Sequence, residues 1–233
     1  MNEPVILFCR QWAITASLET LLSTEYMTHV IPVYSKEDLC HKLGEYRYSP
    51  VILGIKPHEH VVYLYHMKML FSRRPVLFVA RCFWWTDYQL PAFVGMTKFR
   101  FCTLDDLSVG IKQLKHLPTM KLVGETVTNA ISENYNITDA HIMKKANIWL
   151  YKQMAVSGLS QTESRVLLLL SGERRCKLSN RLLSFYKIRG LYKLGMTKNI
   201  INLYRGVRVR KELQAALPSI EKGRVEIYNF SPD

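Results

Sequence analysis

Residues 194–211 read Leu194-Gly195-Met196-Thr197-Lys198-Asn199-Ile200-Ile201-Asn202-Leu203-Tyr204-Arg205-Gly206-Val207-Arg208-Val209-Arg210-Lys211. Gly195 can adopt the left-handed conformation that ends a helix at Leu194. Thr197 is a good N-cap for a following helix, its hydroxyl satisfying a free backbone N–H. Helix, tight turn and second helix together give the pattern of a helix-turn-helix. The second helix is expected to carry Lys198, Asn199, Asn202 and Arg205 near its start, residue types that reach base edges and phosphates. Ile200, Ile201 and Tyr204 are expected to face the core, the two isoleucines against Leu191 and Leu194. The same residues also fit an ordinary basic amphipathic helix after a glycine turn, so the surrounding sequence has to decide.

Before this stretch, Gly158-Leu159-Ser160-Gln161-Thr162-Glu163 leads into Ser164-Arg165-Val166-Leu167-Leu168-Leu169-Leu170-Ser171-Gly172. Ser160 and Glu163 stand at capping-box spacing before an apolar helix that closes near Gly172. Between this helix and Gly195, residues 178–183 and 187–193 are both candidates for the middle helix. The direct partner of the last helix is placed at residues 186–194, with 177–185 as an extension. Upstream, Thr138-Asp139 caps a helix bearing Ala140, Met143, Leu150 and Met154, which suits either a packed connector or a dimerising helix.

Charge separates the two halves. The chain of 233 residues has a formal net charge of +13; residues 1–118 hold 13 Lys/Arg against 10 Asp/Glu, and residues 119–233 hold 19 against 9. A near-neutral front and a basic back imply a polyanion at the back, nucleic acid or an anionic membrane surface. Lys187 and Arg189 before the turn, and Arg208 and Arg210 after it, each suit a phosphate contact.

The front half alternates apolar runs with amphipathic segments. Strands are expected at 5–9, 29–34, 50–55, 75–80 and 98–102, and helices at 12–23, 36–45, 60–71, 84–93 and 104–117. Five such units predict a doubly wound parallel sheet of flavodoxin-like size. The five cysteines, Cys9, Cys40, Cys82, Cys102 and Cys176, have neither metal-ligand nor disulfide-framework spacing. His58, His60 and His66 are ill spaced for a metal site beside Pro57. No nucleophile triad or phosphate-binding glycine loop stands out in the order of residues. The N-terminus lacks the pattern of a signal peptide, and runs such as 166–170 are too short to cross a bilayer.

With these segments in place, the chain resembles the LuxR/FixJ-type transcriptional regulators: a receiver-like domain followed by a helix-turn-helix domain that opens with a Leu-Ser/Thr pair and a Glu. Receivers carry acidic residues after the first strand, a phosphorylated Asp ending the third, Ser/Thr after the fourth and Lys after the fifth. The matching neighbourhoods here are Phe8-Cys9-Arg10-Gln11, Leu53-Gly54-Ile55-Lys56-Pro57, Phe78-Val79-Ala80-Arg81 and Arg100-Phe101-Cys102-Thr103. Cys9-Arg10 and Gly54 stand where carboxylates are required, so neither a Mg²⁺ site nor an acyl-phosphate is expected. Two departures stand out: about ten extra residues before Met196, and Pro218 where the family has a continuous dimerising helix.

The resemblance implies a pseudo-receiver over 1–118, a linker with a connecting helix over 119–158 and a LuxR-type all-α domain over 159–233. It implies a non-enzymatic cytoplasmic, nucleoid-associated regulator without cofactor or membrane partner, similar to auxiliary regulators of the RcsA/BglJ kind. Double-stranded DNA is the expected ligand, contacted by Thr197, Lys198, Asn199, Asn202, Arg205, Arg208, Arg210, Lys187 and Arg189. A homodimer or a heterodimer with another regulator is expected, and RNA polymerase is a further partner of that class. The alternative is a protein- or RNA-binding adaptor with a basic C-terminal half. Trp84-Trp85 suits a core or an interface.

Overall fold

Five short runs of buried apolar residues form the strands of one parallel sheet. The computed structural model describes residues 4–26, 29–72, 74–110, 137–172 and 178–219. The strands are β1 (Val5–Cys9), β2 (Val30–Val33), β3 (Val51–Gly54), β4 (Val76–Ala80) and β5 (Phe99–Thr103), in the order β2-β1-β3-β4-β5. All the pairings are parallel, with Phe8 opposite Leu53 and Cys9 opposite Gly54 at the C-terminal edge. Every residue of β1 is buried, as a central strand with covered faces requires.

The crossover helices are α1 (Trp12–Tyr26), α2 (Lys36–Glu45), α3 (Val61–His66), α4 (Lys68–Phe71), α5 (Trp85–Phe93) and α6 (Leu104–Gly110). One layer of core joins Leu18, Leu22 and Leu107 to Leu7, Ile52, Leu77 and Val79. The other joins Leu39, Leu43, Leu64 and Phe71 to Ile6, Phe8, Leu53 and Phe78. Side chains alternate between these layers along each strand, so the sheet is doubly wound. Ser35 caps α2 by accepting from Asp38 N–H at 3.0 Å. The single helix expected at 60–71 is broken at Met67, and of 104–117 the part beyond 110 lies outside the described residues.

Among the described residues four helices follow: α7 (Asp139–Val156), α8 (Gln161–Ser171), α9 (Asn180–Lys193) and α10 (Ile200–Gly206). Thr138 caps α7, which buries Ile142, Ala146, Leu150 and Met154, one residue per turn. These do not form a core of their own. Ala146, Leu150, Met154, Leu167, Leu191, Leu203 and Val207 share one cluster with Val61, Trp85 and Leu90 of the sheet layer. One face of α7 is therefore packed, and Trp85 sits in the seam, its indole N–H donating to Ser157 Oγ at 3.3 Å. After a 3-10 turn at Lys211–Leu213 the chain returns to the sheet layer: Ala215 N–H donates to Glu59 C=O, and Lys36 N–H to Pro218 C=O. Leu217 joins the sheet's own core.

Candidate nucleic-acid interface

The helical unit is ordered by its caps. Ser160 Oγ accepts from Glu163 N–H at 3.2 Å while Glu163 Oε2 accepts from Ser160 N–H at 2.7 Å, a reciprocal capping box. Glu163 is 1% exposed and also meets Arg189 at 3.0 Å and Lys193 at 2.7 Å. Burial opposes its ionisation, but the bonds from Lys193 and Ser160 hold its carboxyl below the usual range. These pairs clamp α9 onto α8 where Gly190 permits close approach: a Cβ there would lie 3.0 Å from a Leu167 methyl.

The turn after α9 behaves as the glycine implies. Gly195 has φ +68, Met196 N–H donates to Leu191 C=O and Gly195 N–H to Tyr192 C=O, a Schellman closure. The surplus before Met196 is taken up differently from expectation: residues 180–193 form one continuous helix capped by Ser179, not a short helix with an extension.

The start and face of α10 need a larger correction. Its N-cap is Asn199, whose side chain accepts from Ile201 N–H at 3.1 Å, and not Thr197. Thr197 is engaged by Asn202 instead: Asn202 Nδ2 donates to Thr197 Oγ1 at 2.7 Å and to its carbonyl at 3.1 Å, closing the turn. Asn202 is buried, while Ile200 is 79% and Ile201 41% exposed. The buried face carries Leu203, Gly206 and Val207. Leu203 and Val207 share a cluster with Trp85, Leu90 and Val61, which lie more than a hundred residues upstream. Tyr204 is half-buried, its ring under the Arg210 guanidinium at 3.9 Å.

Several candidate cations have intramolecular partners. Arg205 Nη1 lies 3.2 Å from Glu59, and its carbonyl accepts from Thr86 Oγ1 at 3.2 Å, which ties α10 to the sheet layer. Arg210 donates to the carbonyls of Tyr204 and Ser171. Arg208 lies over Gly172. Lys198 is exposed just before α10, and Lys187 is half-buried on α9. The sequence patterns alone did not single out the outer face of α9, where Arg181, Leu182, Phe185, Ile188, Arg189 and Tyr192 are exposed. The signal was present as apolar residues at helical spacing, but nothing local distinguished an open face from a buried one.

At the sheet's C-terminal edge, Cys9 and Gly54 occupy adjoining strand ends. A Cβ on Gly54 would fall 2.3 Å from Cys9 Sγ, and burial pushes the Cys9 thiol up to about 11. Gly54→Asp is therefore expected to overpack the sheet and lower stability by about 1–3 kcal/mol. An unchanged melting temperature would contradict the contact. His58 is not a lone ring: it is fully buried against Asp87, Nδ1 to Oδ1 at 2.8 Å.

The sequence matches no protein-family model and no curated protein. Among solved structures it is similar to a chain from the crystal structures of full-length FixJ from B. japonicum. The identity is 15%, the TM-score 0.36, and the match covers 88% of this chain and 96% of that one. No helix among the described residues is long and apolar enough to cross a membrane.

Proposed function

We propose that this chain is a DNA-binding transcription regulator whose sheet domain works without aspartate phosphorylation. The observation that carries the proposal is the clamped α8–α9 pair followed by the Gly195 turn and α10, set in the half of the chain that holds 19 Lys/Arg against 9 Asp/Glu. The proposed units are 1–118, the connecting 119–158 and the helix-turn-helix unit 159–233. Thr197, Lys198, Asn199, Lys187 and Arg189 are the accessible members of the proposed contact set. Asn202 supports the turn from within. Arg205, Arg208 and Arg210 complete the set once α10 is freed from Glu59. One short helix reads few base pairs, so selective binding calls for a homodimer or a partner regulator. Contact with RNA polymerase and a place in the nucleoid follow from that role.

The exposed α9 face favours a second proposal, a protein- or RNA-binding adaptor. Fluorescence anisotropy of the full chain on a labelled random 30-base-pair duplex separates the two. Affinity for duplex DNA is expected to fall steeply as salt rises. Lys198→Ala is expected to reduce the log–log salt slope by about 0.9, the share of one phosphate contact. Glu59→Gln, which frees Arg205, is expected to tighten binding. Absence of duplex binding at low salt would leave the adaptor.

A further inference from the structure

Where the chain leaves β1, β3 and β4, the C-terminal edge of the sheet encloses a cavity of about 400 Å³. The strand order β2-β1-β3-β4-β5 reverses direction between β1 and β3, the crevice in which doubly wound sheets hold their ligands. Arg10 follows β1, Lys56 follows β3 and Arg81 follows β4, and all three line the cavity. No carboxylate among the described residues lies within ion-pair distance of any of them. The single carboxylate in the lining, Glu59, is engaged by Arg205 at 3.2 Å and lies 3.6 Å from the His58 ring. Three uncompensated cations around one concavity favour an anionic ligand, and two guanidinium forks suit phosphate oxygens.

A second observation narrows the ligand. His60 also lines the cavity, is 3% exposed, and has no partner at Nδ1. Burial pushes its pKa down to about 4, so the ring is neutral near pH 7. Nδ1 is thus an unpartnered nitrogen of a neutral ring, which a hydroxyl satisfies in either tautomer because it both donates and accepts. We propose that this cavity binds a small hydroxylated phosphate ester of sugar-phosphate size. Arg10, Lys56 and Arg81 hold the phosphate, and His60 Nδ1 pairs with the hydroxyl. The volume is in the range of small-molecule sites. The proposal stands independently of DNA binding.

The test is calorimetric titration of the full chain at low salt with ribose 5-phosphate, inorganic phosphate and ribose as probes. One molecule of ribose 5-phosphate is expected to bind per chain, more tightly than inorganic phosphate, with ribose silent. Arg10 and Arg81 are exposed, so the Arg10→Gln/Arg81→Gln double variant is expected to keep the melting temperature of the unliganded protein. It is expected to lose at least about tenfold in affinity, the share of one or two charge-assisted bonds. Lys198→Ala, remote from the cavity lining, is expected to bind ribose 5-phosphate unchanged. No binding of either phosphate probe at millimolar concentration would overturn the proposal, and so would a double variant that binds as well as the parent.

Discussion

Asp87→Ala is expected to cost about 3–5 kcal/mol of folding stability, read from the midpoint of denaturant unfolding. Asp87 and His58 are both fully buried. One carboxylate oxygen accepts from His58 N–H at 2.8 Å and lies 2.8 Å from His58 Nδ1; the other accepts from Trp84 N–H at 2.8 Å. A single side chain thus fixes the loop after β3 to the first turn of α5, the helix against which α7 and α10 pack. Its removal strands two backbone donors and a ring nitrogen away from water, each costly when unmet. Asp87→Asn keeps one acceptor and is expected to fall between the parent and the alanine variant. A loss below about 0.5 kcal/mol, the scale of an ordinary surface change, would contradict the role given to Asp87.

Leu203→Ala is expected to cost about 2–5 kcal/mol, the usual range for a buried leucine. Ile200→Ala, three residues earlier on the same helix, is expected to stay within about 0.5 kcal/mol. Leu203 is 7% exposed in the cluster with Trp85 and Leu90, while Ile200 is 79% exposed. Local hydrophobicity would rank the isoleucine as the more buried of the two. Matched thermal melts decide the orientation of α10, and a larger loss at Ile200 would reverse its assigned face.

The strands were legible because buried parallel strands are near-continuous apolar runs, and Val5–Cys9 was located to the residue. The capping box at Ser160 and Glu163 and the glycine turn at Gly195 were equally legible, since both are set by neighbours within a few residues. The face of α10 was not. Thr197 and Asn199 are both good caps, and the choice depends on Asn202 taking the Thr197 hydroxyl. What buries Leu203 comes from the sheet layer: the Thr86–Arg205 bond spans 119 residues. The edge cavity was hidden for the same reason. Sequence reading marked missing carboxylates at Cys9-Arg10 and Gly54, one strand end at a time, and only the strand order places Arg10, Lys56 and Arg81 around one space. Sequence carried the local closures, and tertiary packing assigned the faces.

The most direct measurement is a selection of duplexes from a random DNA pool by the full-length protein at physiological salt, followed by sequencing of the recovered fraction. An enriched motif, made of two half-sites if a homodimer binds, is the expected result. The amount of duplex recovered is expected to fall in Lys198→Ala, with the same motif, and to persist in the Arg10→Gln/Arg81→Gln variant. Recovery of the pool without enrichment, or no recovery at all from a protein that melts cooperatively, would contradict the assignment of a sequence-selective DNA-binding regulator.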